Sequence, residues 1–173
     1  VVIKKNIVCE DPLENGVRKY LNFGHTLGHA IESYFLSDPK RTELLHGEAI
    51  AIGMILECFI SSELLNFPAK DLEYITDKYL EIFPKVKIEK IDYQSIIELL
   101  KFDKKNEHGH IYFVLLEQIG QPKFNCMVAD DIILKSFNYY NYKVSELLWI
   151  PFQNTALNIY TMSILVAIGQ VST

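Results

Sequence analysis

Cysteine is scarce and scattered in this sequence. Cys9, Cys58 and Cys126 stand far apart and form no CxxC pair. That argues against a disulfide framework and against a cysteine-ligated zinc, and it fits a reducing compartment such as the cytoplasm. Positive charge is also in short supply: 17 Lys and Arg face 22 Asp and Glu, for a net charge of -5. Nucleic-acid binders carry a basic face, so nucleic acid is not the expected partner. There is no internal repeat, no low-complexity tract and no Gly-rich strand–turn–helix signature of a nucleotide fold. A long hydrophobic run is missing as well. After Glu146 the last 27 residues carry no charge, yet Asn, Thr, Ser and Gln interrupt them too often for a membrane span. Two readings of this tail compete, an extra packed helix and sequence never selected to fold. The opening "VVIKK" has neither methionine nor a signal-peptide layout, and is expected to come from within a longer protein.

What is present points to one mainly helical domain. An apolar content of 49% over 173 residues suffices for a real core. Asp11, Pro12 and Gly16 supply turn and helix-start signals. Val17, Leu21, Leu27, Ile31 and Phe35 then fall mostly at spacings of four, predicting one helix from Val17 to Phe35. "SDPKRTE" breaks it. A second helix is expected from about Gly47 to Leu65, apolar nearly all round and therefore buried. Two more are expected around Ala69 to Ile82 and Tyr93 to Phe102. The β-branched and aromatic "HIYFVLLEQIG", followed by Gly120-Gln121-Pro122 and "KFNCMV", predicts a hairpin. A last helix, "ADDIILKSFNYY", places Asp130 and Asp131 at the positive end of its dipole.

The chemistry concentrates around "NFGHTLGHAIE". His25 and His29 lie four apart and share a helix face. His46 precedes the next helix, which an antiparallel pairing would bring back alongside them. Two imidazoles, a carboxylate and an open position form the ligand set of a catalytic zinc. The segment is not HExxH, because Thr26 stands where the general-base glutamate would be. From spacing alone, a metal site and ordinary packing both remain open. Gly24, Gly28 and Gly47 flank the histidines, each costing about 1 kcal/mol in a helix interior; they fit either a bulky ligand at the backbone or close helix packing. Arg18 and Asn22 extend the ridge, as a fork for phosphate or carboxylate and an amide for hydroxyls. Lys104 and Lys105, before His108-Gly109-His110, offer point charges to a polyanion.

"EDPLENGVRKYLNFGHTLGHAIE", "LLHGEAIAIGM" and "DKKNEHGHIYFVLLEQIG", in this order and spacing, resemble the C-terminal helical domain of the 3-dehydroquinate synthase family. The resemblance spans about Val1 to Tyr140, leaving residues 141–173 as an unassigned apolar tail. It implies a mainly α multi-helix domain with one small β-hairpin. The implied activity is closure of a seven-carbon phosphorylated keto-acid sugar (DAHP) to 3-dehydroquinate with loss of phosphate, in the shikimate route to aromatic compounds. The implied cofactors are zinc, or another divalent metal such as cobalt, and NAD bound by an N-terminal domain that this sequence lacks; the family also forms homodimers. By position, the resemblance makes His25 and His46 metal ligands. It makes His29 the histidine that contacts substrate and assists proton transfer, with the glycines giving the ligand access. Arg18, Asn22, Lys4 and one of Lys104 and Lys105 would bind substrate, and Glu14 is the acidic residue of the same site. The third metal ligand, a glutamate, has no match; Glu14, Glu32 and Glu48 are the nearest carboxylates present and none is that ligand. The chain alone is therefore expected to be inactive. A related sugar-phosphate cyclase, a glycerol-dehydrogenase-type enzyme and a non-catalytic helical remnant are the competing readings.

Overall fold

A computed structural model describes residues 2–39, 41–104 and 111–148, with the side chains of 103, 104, 147 and 148 left aside. Lys105, His108 and His110 lie outside the described residues, as does the tail beyond Leu148. The elements are α1 (Val2–Glu10), a 3₁₀ turn (Val17–Asn22), α2 (His25–Ser37), α3 (His46–Leu65), α4 (Ala69–Ile82), α5 (Asp92–Lys104), β1 (Tyr112–Gln118), β2 (Gln121–Met127) and α6 (Asp130–Leu148). The fold is mainly α with one two-stranded antiparallel sheet.

The centre of the molecule is α3. Every residue from Ala49 to Cys58 is buried, as its all-round apolar pattern demands. Helix α2 packs along it through backbone rather than bulk. A Cβ on Gly28 would stand 2.7 Å from Ile50 Cδ1, one on Gly53 would run into the Gly24 carbonyl, and one on Gly24 would overlap Met54. These glycines serve helix–helix contact, so ligand access does not account for Gly24 and Gly28. Only Gly47 of the three beside the histidines has open space. Strand β1 covers another side of α3. Its residues Phe113 to Leu116 are buried, and the Leu116 N–H donates to Ser61 Oγ at 2.9 Å. A buried carboxylate, Asp92, ties the head of α5 to the loop after α2, accepting from Tyr34 Oη at 2.8 Å and Arg41 Nη2 at 2.7 Å.

The structure departs from the sequence expectations in three places. The single helix expected over Val17 to Phe35 is a 3₁₀ turn, a break at Phe23–Gly24 and then α2, because Gly24 takes φ 80° and Phe23 is extended. Val2–Glu10, which carried no clear signal, forms a helix with no buried residue. The last helix runs past Tyr140 to Leu148, with Val144 also buried. No helix among the described residues is long and apolar enough to cross a membrane.

Candidate metal centre and substrate cleft

Two helices, α2 and α3, bring three histidines together at their starts. His25 opens α2, His29 stands one turn further along the same face, and His46 is the first residue of α3. Glu48 reaches back to the Leu45 N–H at 2.9 Å and fixes the start of α3, and with it His46. The ring centroids are 5.2 Å apart for His25 and His29, 5.9 Å for His25 and His46, and 5.6 Å for His29 and His46. One ring nitrogen from each lies within 4.8 Å of the other two, within reach of a single ion.

The second nitrogens of His25 and His46 are held by hydrogen bonds. His25 Nδ1 lies 3.1 Å from the Phe23 carbonyl oxygen, which can only accept, so Nδ1 carries the proton and Nε2 keeps its lone pair. His46 Nδ1 donates to Glu32 Oε2 at 3.0 Å, with the same result. A ring whose far nitrogen donates to a carbonyl or carboxylate is the usual arrangement of a metal-bound imidazole. Burial pushes the His25 pKa below its ordinary value of 6.5, and the neighbouring His29, His46 and Lys4 add to the shift. The ring is held in the neutral form that ligates metal. The residues fit a divalent ion.

Around the histidines lies a polar cleft of about 960 Å³, whose walls include Glu14, Lys19, Asn22, His25, His29 and Glu32. A smaller recess of about 160 Å³ joins Lys4, Glu14, Arg18, Asn22 and His25. Asn22 Nδ2 donates to Glu14 Oε1 at 2.6 Å, and Arg18 Nε lies 3.6 Å from Glu14 Oε2. The loop that holds these groups is organised by Asp11, whose carboxylate accepts from the N–H groups of Asn15 (3.0 Å), Gly16 (2.7 Å) and Arg18 (3.1 Å). Thus Lys4, Glu14, Arg18, Asn22, His25, His29 and His46 come together. Lys104 ends α5, and its side chain is outside what the structure describes.

The model of the 3-dehydroquinate synthase C-terminal domain matches residues 1–106. The chain belongs to the 3-dehydroquinate synthase family. It is 43% identical over 140 residues to the 3-dehydroquinate synthase of Parabacteroides distasonis, covering 81% of this chain and 39% of that protein. With the enzyme of Methylacidiphilum infernorum the identity is 42%, over 70% of this chain and 33% of the relative. The chain therefore spans about two fifths or less of these dehydroquinate synthases. Among solved structures, 2-deoxy-scyllo-inosose synthase, crystallised with carbaglucose-6-phosphate, NAD+ and Co2+, superposes with a TM-score of 0.62 at 26% identity, over 80% of this chain and 38% of that one. The 2-epi-5-epi-valiolone synthase of Streptomyces hygroscopicus, with NAD+ and Zn2+ bound, gives a TM-score of 0.64 at 20% identity, over 80% of this chain and 37% of that one, and shares the fold.

Sequence reasoning missed the parts played by three carboxylates of this dehydroquinate-synthase domain. Glu32 falls three residues after His29, a spacing that puts it on the cluster's face of α2, but its partner is His46, across on α3. Asp11 was legible only as a turn residue. Glu57, a lone acid within an apolar helix, is buried against the head of α2 and accepts the Gly24 N–H at 2.6 Å.

Proposed function

We propose that this chain supplies the metal- and substrate-binding half of a 3-dehydroquinate synthase, acting on DAHP in the shikimate route within a reducing cytoplasm. The observation that carries the reading is the convergence of His25, His29 and His46, one nitrogen of each within 4.8 Å of the others, beside a cleft that also gathers Glu14, Lys19 and Asn22. His25 and His46 would hold zinc or cobalt, and NAD would be held by a further domain. When bound, the metal supplies Lewis-acid polarisation of a substrate hydroxyl and the nucleotide supplies reversible hydride removal.

The chain's own residues do the rest. Lys4 and Arg18 present cations to the substrate's carboxylate and phosphate, the guanidinium as a planar fork and the ammonium as a point charge. One of Lys104 and Lys105 would join the same anion-binding set. Asn22, steadied by Glu14, offers an amide to the ring hydroxyls. His29, exposed at the cleft, is the proton carrier, imidazole being a side chain that can both take and give a proton. Glu14 bridges Arg18 and Asn22, so one carboxylate sets the spacing of two substrate contacts. Catalysis of this kind draws chiefly on positioning. The partners implied are a phosphorylated sugar acid, an NAD-binding half and a second copy of the completed enzyme.

The test is reconstitution. The chain is combined with a nucleotide-binding half from a dehydroquinate synthase, and phosphate release from DAHP is followed with NAD and zinc present. Turnover is expected from the combination and from neither part alone, and it should fall at least 100-fold with His29→Ala, at the lower end of general acid–base contributions (roughly 10²–10⁴). A folded, assembled combination without turnover contradicts the reading.

A further inference from the structure

Glu57 has no exposed surface. It sits mid-way along α3, where the neighbouring residues are small or apolar. A buried carboxylate is costly unless hydrogen bonds satisfy it, and an apolar side chain would fill the same volume more simply. Its Oε2 accepts the Gly24 N–H at 2.6 Å and its Oε1 accepts the Leu27 N–H at 3.3 Å. The Leu27 N–H normally looks to the side chain of the N-cap residue, and the N–H of the N-cap, Gly24, to an acceptor on the third helical residue, which here is the apolar Leu27. Here the N-cap is Gly24, in the left-handed region at φ 80°, with no side chain to offer. The cap is delivered instead from a neighbouring helix, and the positive end of the α2 dipole favours an acid in that place.

Between the two anchored amides lie only His25 and Thr26. Beneath them Gly24 and Gly28 are pressed onto α3 so closely that added Cβ atoms would meet Met54 and Ile50. The backbone on which His25 stands is thus held from inside the core. The same bend carries the Phe23 carbonyl to within 3.1 Å of His25 Nδ1, and that contact leaves Nε2 for His29 and His46 to face. We propose that Glu57 is a positioning residue of the metal centre: by capping α2 from within the core, it fixes the place and the tautomer of His25. The role in metal binding rests on the assignment of His25 as a ligand, whereas the tautomer does not.

The test compares the whole chain with Glu57→Gln, which keeps the shape of the side chain but exchanges one acceptor for a donor. Val144→Ala serves as a control for lost core packing far from α2. Two quantities are read: the dissociation constant and absorption bands of added Co2+, and the ring-nitrogen shifts of His25 in the metal-free chain. Glu57→Gln should weaken Co2+ binding by up to the roughly 10- to 100-fold that loss of a direct partner of a ligand side chain costs. It should also turn His25 from one tautomer into a mixture. Val144→Ala should lower the melting temperature and move neither quantity. Unchanged Co2+ binding and an unchanged His25 tautomer in Glu57→Gln would overturn the proposal and leave Glu57 a core residue only. Should the unaltered chain take up no Co2+, the ligand assignment of His25 fails, and the tautomer alone decides for or against Glu57. If Glu57→Gln does not fold, Glu57→Asp, which keeps the acid and shortens its reach, is read by the same criteria.

Discussion

Two carboxylates outside the ligand set govern how the polar residues are held. Glu32 accepts from His46 Nδ1 at 3.0 Å, and replacing it by glutamine leaves a neutral partner that can be turned either way. Glu32→Gln should weaken zinc binding by about 10- to 100-fold, as loss of outer-shell partners generally does, measurable by calorimetry, while the melting temperature of the metal-free chain stays close to its original value. Asp11 acts on the loop that carries Glu14 and leads into Arg18. Partial burial pushes its pKa up, but the N–H groups of Gly16, Asn15 and Arg18 and the Arg18 charge outweigh this, and the net shift is downward from 3.8. The folded chain therefore binds this proton more weakly than the unfolded chain. The stability that Asp11 contributes is complete above 3.8 and is lost as the pH falls through its lower folded value. Thermal melts between about pH 5 and pH 2 should lose stability more steeply in the unaltered chain than in Asp11→Asn. Parallel curves would show that the loop does not depend on this carboxylate.

Between elements, the decisive contact is α2 on α3. Gly53 allows the two backbones to approach, and a Cβ there would run into the Gly24 carbonyl and come within 2.7 Å of the Gly28 nitrogen. Neither neighbour is a flexible side chain that could yield. Gly53→Ala should destabilise the fold by about 1–3 kcal/mol, the usual range for overpacking, read by urea denaturation; a change within error would mean that the helices separate freely. This interface also marks the limit of what the sequence discloses. Helix α4 (Ala69–Ile82) and the hairpin were legible because period and turn residues are local properties. The break at Gly24 was not, because its cap comes from Glu57, 33 residues away; its only local trace is the step of six from Leu21 to Leu27 among apolar steps of four. The glycines were ambiguous for a different reason: ligand access and close packing call for the same residue, and only the position of α3 separates them. Helix α1 buries nothing, so it had no apolar stripe to announce it.

At the scale of the whole molecule, the histidine cluster was legible as a group from spacing, while a division of labour within it came only from the family resemblance. Sequence spacing brings His25, His29 and His46 together, but it does not show the hydrogen bonds by which the Phe23 carbonyl and Glu32 hold His25 and His46. The chain spans 39% of its Parabacteroides distasonis relative, and the proposed reaction needs a nucleotide site that the described residues do not contain. The central claim is thus a half-site: two imidazole ligands preset for one divalent ion, with the third histidine reserved for substrate. The most direct measurement is the zinc content and zinc calorimetry of the purified chain beside His25→Ala, His29→Ala and His46→Ala. The account predicts about one zinc per chain, lost in His25→Ala and His46→Ala and retained in His29→Ala. Zinc indifferent to His25 and His46, or no zinc in the unaltered chain, would contradict it.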